Sequence, residues 1–260
     1  MSDVTSLSKR IANKKRNGLS RPMEVAESIK AFVIEERLKP GDRLPNEAQL
    51  IEKYQMAKGT IREATRILEV QGLVRTRTGP GGGCFVHDVS ENRAMALLTN
   101  FFHFKDMSIK QIYQIRKILE PEVAAELTGK LDVEEIEELH KILSTYSVSP
   151  KTLEDEKAHH IAALKFHEKL AEFSKNALLS FIIKFMIKVL SETTINKELY
   201  DPINIPLWEK GREYQHKLIN SIEGNSPDVS RSIIYDHMCF AEQHMKEQEI
   251  VFKNSFLNIE

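Results

Sequence analysis

The chain has 260 residues, of which 41% are hydrophobic, with 37 Lys and Arg against 38 Asp and Glu. That length suggests two domains, and the apolar content suffices for buried cores, which excludes a chain disordered throughout. No apolar run approaches the roughly 18–20 residues that span a bilayer, the N-terminus lacks the apolar stretch of a secretory signal, and Cys84 and Cys239 lie too far apart for a paired metal motif. A reducing cytoplasm is therefore the expected compartment.

Charge is uneven along the chain. Residues 1–90 hold 16 Lys and Arg against 11 acids, and residues 91–260 hold 21 against 27. Lys9, Arg10, Lys14, Lys15, Arg16 and Arg21 face only Asp3 in the first 21 residues. This predicts a flexible basic arm over 1–20 and a polyanion partner for that end, with a merely solvated tail as the alternative. Eight of the 11 glycines fall between Gly18 and Gly83. A turn-rich first third followed by a stretch with few helix breakers predicts an α+β domain over 21–90 and an all-helical remainder. The remainder divides into a linker helix over 91–105, a helical domain over 106–250 and a tail over 251–260.

The first helix spans 22–37, opened by Pro22 and carrying Val25, Ile29, Phe32 and Val33 at helical spacing. Turn residues follow at Pro40-Gly41-Asp42. Asn46 caps a second helix with Leu50 and Ile51 on its apolar stripe. After a break at Gln55-Met56-Ala57, a third helix covers 58–70, with Ile61, Ala64, Ile67 and Leu68 on one face and Gly72 at its end. Two short β-type runs, 73–77 and 84–87, flank Gly79-Pro80-Gly81-Gly82-Gly83 and read as a hairpin. Three short helices and a hairpin make a winged helix-turn-helix, whose helix over 58–70 enters the DNA major groove. Lys58, Gly59, Thr60, Arg62 and Arg66 suit that role. The basic side chains bond phosphate or guanine, the hydroxyl bonds phosphate or a base, and Gly59 allows close approach. Arg62 and Arg66 share a face, being one turn apart.

Residues 38–86 resemble the GntR family of bacterial transcription factors. The match runs through Leu38-Lys39-Pro40-Gly41-Asp42-Arg43-Leu44-Pro45-Asn46-Glu47, Gly59-Thr60-Ile61-Arg62-Glu63-Ala64 and Leu68-Glu69-Val70-Gln71-Gly72-Leu73-Val74, then the glycine-rich wing. The resemblance implies that Lys58, Thr60 and Arg62 read the operator and that Gly81 and Gly82 of the wing approach the minor groove. Ala48 departs from the family's usual arginine, and Ala57 from its usual Ser or Thr cap, whose loss costs about 1 kcal/mol of local stability. Two half-sites multiply the specificity of one short helix, so a homodimer on a palindromic double-stranded operator is expected.

The rest of the chain resembles the FadR subgroup, whose effector domain (FCD) is an antiparallel helical bundle. Tyr113-Gln114-Ile115-Arg116-Lys117-Ile118-Leu119-Glu120-Pro121 with Ala124-Ala125, then Phe166-His167 with Asn176, Gln215-His216 and Asp236-His237 carry the likeness. Gly224-Asn225-Ser226-Pro227 reads as a turn between helices. At 1.5 Å per residue, His216 and His237 lie level, about 12–15 Å from that turn on adjacent helices. The resemblance implies that His167 joins them and that three imidazoles hold a divalent metal such as zinc or nickel. Ala163 stands where the subgroup usually has an Asp ligand. His160, about 10.5 Å along the axis from His167, does not replace it.

Arg116, in a helix with Ile112, Ile115, Ile118 and Leu119, needs an anionic partner if it points inward. That partner is either Glu120 at i+4 or, as in the subgroup, an effector carboxylate. Arg212, four residues before His216, is a second candidate for the acid. The expected function is thus a ligand-responsive DNA-binding regulator, not an enzyme, with a small organic acid as effector and possible metal assistance. The alternatives are a metal-free sensor of a larger lipid-like ligand, suggested by Ala163 and by the apolar run Leu178–Ile183, and a metal-dependent hydrolase.

Overall fold

A computed structural model describes residues 19–103, 105, 107–195 and 203–246. The expected tail, and nearly all of the expected basic arm, lie outside the described residues. The chain divides between Ala94 and Met95 into two compact units.

In the first unit, helix α1 (Arg21–Glu35) has Pro22 in its first turn, where a missing N–H costs nothing, and buries Val25, Ala26 and Ile29. It ends two residues earlier than its apolar periodicity suggests. Helix α2 (Glu47–Tyr54) opens on a reciprocal cap: Gln49 N–H donates to the Asn46 side chain, and Asn46 N–H donates to the Gln49 side chain. Gln55, in the left-handed region at φ 54°, turns the chain into helix α3 (Lys58–Val70), whose Ile61, Ala64 and Leu68 are buried. Ala57 offers α3 no side-chain cap. Strands β1 (Val74–Arg77) and β2 (Gly83–Val86) pair antiparallel, Val74 opposite Val86 and Arg77 opposite Gly83. Leu44, Leu50, Val74 and Val86 close the core against α1 and α3. The wing turn leaves no room at Gly82: a Cβ there would stand 2.6 Å from the Arg77 carbonyl oxygen and 2.7 Å from that of Gly79.

Among the described residues the regular structure of the second unit is helical: α4 (Glu91–His103, which begins just before the division), α5 (Ile109–Leu127), α6 (Val133–Ser144), α7 (Leu153–Phe173), α8 (Ala177–Ile195), α9 (Ile205–Glu223) and α10 (Pro227–Lys246). Ser108 with Gln111, Asp132 with Glu135 and Thr152 with Asp155 cap α5, α6 and α7 in the reciprocal manner of α2. Helix α5 packs along α10, α7 along α8, and α9 along α10. Their apolar stripes meet in one core containing Tyr113, Leu139, Phe166, Ile183, Leu218 and Met238. Ile115 and Ile118 face solvent, because α5 turns the stripe of Ile112, Arg116 and Val123 inward. In the run Leu178–Ile183, Leu178 is exposed, Ile183 is packed in the core, and Ile182 lines an apolar pocket with Phe102, Ile112 and Phe185.

Candidate functional site

On α3 the buried stripe of Ile61, Ala64 and Leu68 fixes the helix roll, leaving Lys58, Gly59, Arg62 and Arg66 exposed and Thr60 half-exposed. Glu47, the first residue of α2, reaches across to this face. Its Oε1 lies 3.1 Å from Lys58 Nζ, and its Oε2 accepts from Arg62 Nε at 2.7 Å. These two bonds hold the Glu47 carboxyl below its ordinary pKa. Among the described residues Arg62 is engaged only through Nε, which leaves the two outer nitrogens of its guanidinium as the fork that matches guanine O6 and N7. Arg66 pairs loosely with Glu63 at 3.8 Å. Arg43, Arg62, Arg66 and Gly82 line one groove between α3 and the wing, and Arg43 donates to the Gly82 carbonyl at 2.5 Å.

The helical unit contains a partly open cavity with about 60 Å³ of free space. Helix α7 lines it with the stripe Glu156, His159, His160, Ala163, Leu164 and His167, and α9 with Trp208, Gly211, Arg212 and Gln215. Tyr113 and Arg116 come from α5, His237 and Met238 from α10, and Tyr146 from the segment after α6. The spacings i, i+3, i+4, i+7 on α7 and α9 are those of one helical face. His167 and His237 come together, ring centres 5.1 Å apart. His216 does not join them. The residue of α9 that faces the cavity is Gln215, and His216, 100° further around the helix, is exposed beside His140. His237 instead stacks on Tyr214 of α9, ring centres 5.3 Å apart, two residues before His216.

A buried relay organises one wall. Glu120 accepts from Arg116 Nε at 2.5 Å and meets His167 Nδ1 at 2.6 Å. That places the proton of neutral His167 on Nδ1 and its lone pair on Nε2, which faces the Gln215 amide nitrogen at 3.3 Å. Burial pushes the Glu120 carboxyl up, but the Arg116 guanidinium and His167 outweigh it and hold it at about 2. Burial, with Arg116 and His167 adding to it, lowers His160 to about 4 and His237 well below the usual imidazole range. On α9, Arg212 lies over the Trp208 ring and donates from one terminal nitrogen to the Ser147 carbonyl at 3.1 Å. Its Nε is buried and has no partner among the described residues. The same holds for Glu156 Oε2, His159 Nδ1 and His237 Nδ1.

The implied metal meets a poor donor set. Ala163 brings a methyl, Gln215 presents its amide nitrogen where an imidazole is needed, and His216 points away. No group of three His, Cys, Asp or Glu suited to a metal is found among the described residues. Sequence reasoning missed Gln215, Trp208, Gly211, Tyr146, Glu156 and His159. The signal available was the seven-residue stripe on α7 and on α9, both of which a single histidine-led reading passed over.

A winged three-helix head joined in sequence to an all-helical unit that holds a cavity is the architecture of a DNA-binding regulator. The model of the bacterial regulatory proteins of the gntR family matches residues 23–86, and that of the FCD domain matches 111–239. The chain belongs to the GntR family and is a ligand-responsive transcriptional regulator with an FCD domain. It is similar to the HTH-type transcriptional regulator LutR of Bacillus subtilis (strain 168), with 30% identity over 159 residues, 60% of this chain and 69% of LutR. It is also similar to a provisionally named L-lactate dehydrogenase operon regulatory protein of Escherichia coli (strain K12), with 25% identity over 86% of this chain and 85% of that protein. A solved GntR protein of Streptococcus agalactiae shares the fold at a TM-score of 0.54 and 20% identity, covering 86% of this chain and 99% of that one. These relatives are named as regulators, not as enzymes. Among the described residues no helix is long and apolar enough to cross a membrane.

Proposed function

We propose that this chain is a cytoplasmic homodimeric regulator whose helical cavity takes a small organic acid and thereby changes its affinity for a palindromic operator. The observation that carries the effector reading is Arg212: a guanidinium on the cavity wall with a buried, unpartnered Nε and no carboxylate partner among the described residues. Arg116, the other arginine expected to meet the acid, already has Glu120 and shapes the wall. The size of the space supports a small ligand. At roughly 10–15 Å³ per water-sized occupant, the cavity holds on the order of five non-hydrogen atoms, too few for an acyl chain. On the DNA side, Lys58, Thr60 and Arg62 read bases, Gly59 admits the backbone, Arg66 meets phosphate, and Gly81 and Gly82 bring the wing to the minor groove. The exposed Leu97, Phe101, Ile115 and Ile118 of α4 and α5 support a contact between subunits.

Thermal-shift screening of mono- and dicarboxylates, with gel shifts on the operator, tests this reading. L-lactate, the compound in the name of the second relative, is the first acid to try. An effector at 100 times its Kd adds about 2.7 kcal/mol of stability. Arg212→Lys should lose that gain while keeping operator binding, because lysine cannot reproduce the arginine fork. An acid that stabilises wild type and Arg212→Lys equally would place the ligand elsewhere.

A further inference from the structure

A divalent metal held by histidines needs lone pairs converging from several helices. In this cavity the convergence is broken at two points. One turn before His167, α7 offers only the methyl of Ala163. On α9, the side chain on the cavity face is Gln215, which is fully buried and held at both ends. Tyr146 Oη donates to its Oε1 at 2.5 Å. Its Nε2 donates to the Ala163 carbonyl at 3.2 Å and faces His167 Nε2 at 3.3 Å. The contact with the Ala163 carbonyl fixes which end of the amide is nitrogen, since a carbonyl can only accept. The Gln215 amide thus spends its N–H groups on the very imidazole lone pair that a metal would require, and its one good metal-binding atom, the oxygen, is capped by a tyrosine. An amide nitrogen has no lone pair to give a cation. Arg116 itself lines the cavity, with its partner Glu120 outside the lining, so the charge nearest the space is positive and disfavours a cation.

We propose that this cavity is a metal-independent anion site, in which Gln215 does by hydrogen bonding what a metal would otherwise do: it fixes the His167 ring and ties α9 to α7. An entering carboxylate then binds protein donors directly. The Nε–H of Arg212 is buried and unpartnered, and the ring nitrogens His159 Nδ1 and His237 Nδ1 are buried and unpartnered as well. All three lie on residues lining the same cavity. A carboxylate offers only acceptor lone pairs, which is the complement of this set when the imidazoles present N–H. This deepens the reading of the cavity as an acid sensor and rests on it only for the identity of the ligand. The exclusion of metal stands or falls separately.

The test uses the full chain purified without chelator. Bound metal is measured by elemental analysis after dialysis against zinc or nickel, alongside thermal shift with the same ions. Wild type should retain less than about a tenth of an ion per chain and show no rise in Tm, whereas Ala163→Asp combined with Gln215→His should retain about one. Near-stoichiometric metal in wild type that disappears in His237→Ala would overturn the proposal. So would failure of the double variant to gain metal while folding normally, since these two positions would then not be what excludes it. The acid arm is read independently: any stabilisation by sodium L-lactate or another carboxylate should be unchanged by EDTA, and a response abolished by EDTA would contradict direct capture. If no carboxylate stabilises the protein yet the metal results are as expected, the acid reading fails and the metal-free assignment remains.

Discussion

Glu120→Gln isolates the relay that organises the cavity wall. Arg116 is 1% exposed and Glu120 3% exposed, and their bond is 2.5 Å long. The amide keeps the shape of the carboxylate but removes its charge, leaving a buried guanidinium without compensation. It also places an N–H₂ or a neutral oxygen opposite His167 Nδ1. If His167 answers by moving its proton to Nε2, that proton then points at the Gln215 Nε2 hydrogens. Breaking one side of a buried pair costs about 3–5 kcal/mol, a large share of a total stability of about 5–15 kcal/mol. For a chain of this size, about 2–4 °C per kcal/mol converts that to a fall in Tm of roughly 6–20 °C. Circular dichroism melts of wild type and variant read it directly. The acid limb offers a second reading. Glu120 is held at about 2, below its ordinary 4.5, so its stabilisation is complete above the unfolded value and is lost as pH falls from about 4.5 toward 2. His160, held at about 4, binds a proton more readily when unfolded, so it too makes stability fall as pH drops from 6.5 to 4. Glu120→Gln should therefore keep the slope between 6.5 and 4 and lose the slope below it. Replacing both partners, Arg116→Met with Glu120→Leu, should recover part of the loss, because two apolar groups leave no orphaned charge and only the neutral His167 Nδ1–H loses its acceptor. A change under about 1 kcal/mol in Glu120→Gln would show that the pair does not bear on stability and would refute this account.

Two further outcomes concern the DNA-reading head. Arg62→Ala should cost about 1–3 kcal/mol per half-site on a duplex selected from a random pool and little on a scrambled one. Glu47→Gln, which frees the Arg62 side chain from its anchor, should lower the ratio of selected to scrambled affinity without weakening scrambled binding. Anisotropy titrations at fixed salt measure both, and an unchanged ratio in Arg62→Ala would remove α3 from the reading of sequence. Ala57→Ser should raise stability by about 1 kcal/mol by supplying the side-chain acceptor that α3 lacks; no gain in denaturant melts would mean that the first-turn N–H groups are already satisfied.

Much of this protein is local, and the sequence alone determined it. Asn46, Pro22 and the glycine-rich wing act on residues within a few positions of themselves, so α1, α2, α3 and the hairpin were legible within two or three residues. The 3.6-residue repeat of Ile61, Ala64 and Leu68 likewise showed which side of α3 is left for DNA. Helix length and the 1.5 Å rise also placed residue 237 close to the level of residue 216, and it stacks on Tyr214. Rotation about the helix axis was another matter. Whether Gln215 or His216 enters the cavity differs by a 100° turn, and that turn is set by Leu218, Ile219 and Ile222 finding the core. The same packing rolled Arg116 inward onto Glu120 and sent Ile115 and Ile118 to the surface. It gathered Glu156, His159 and Arg212, from α7 and α9, around one space. A chemical site made from several helices depends on the roll of each one, and roll is fixed by apolar burial over the whole bundle, which only the tertiary structure decides.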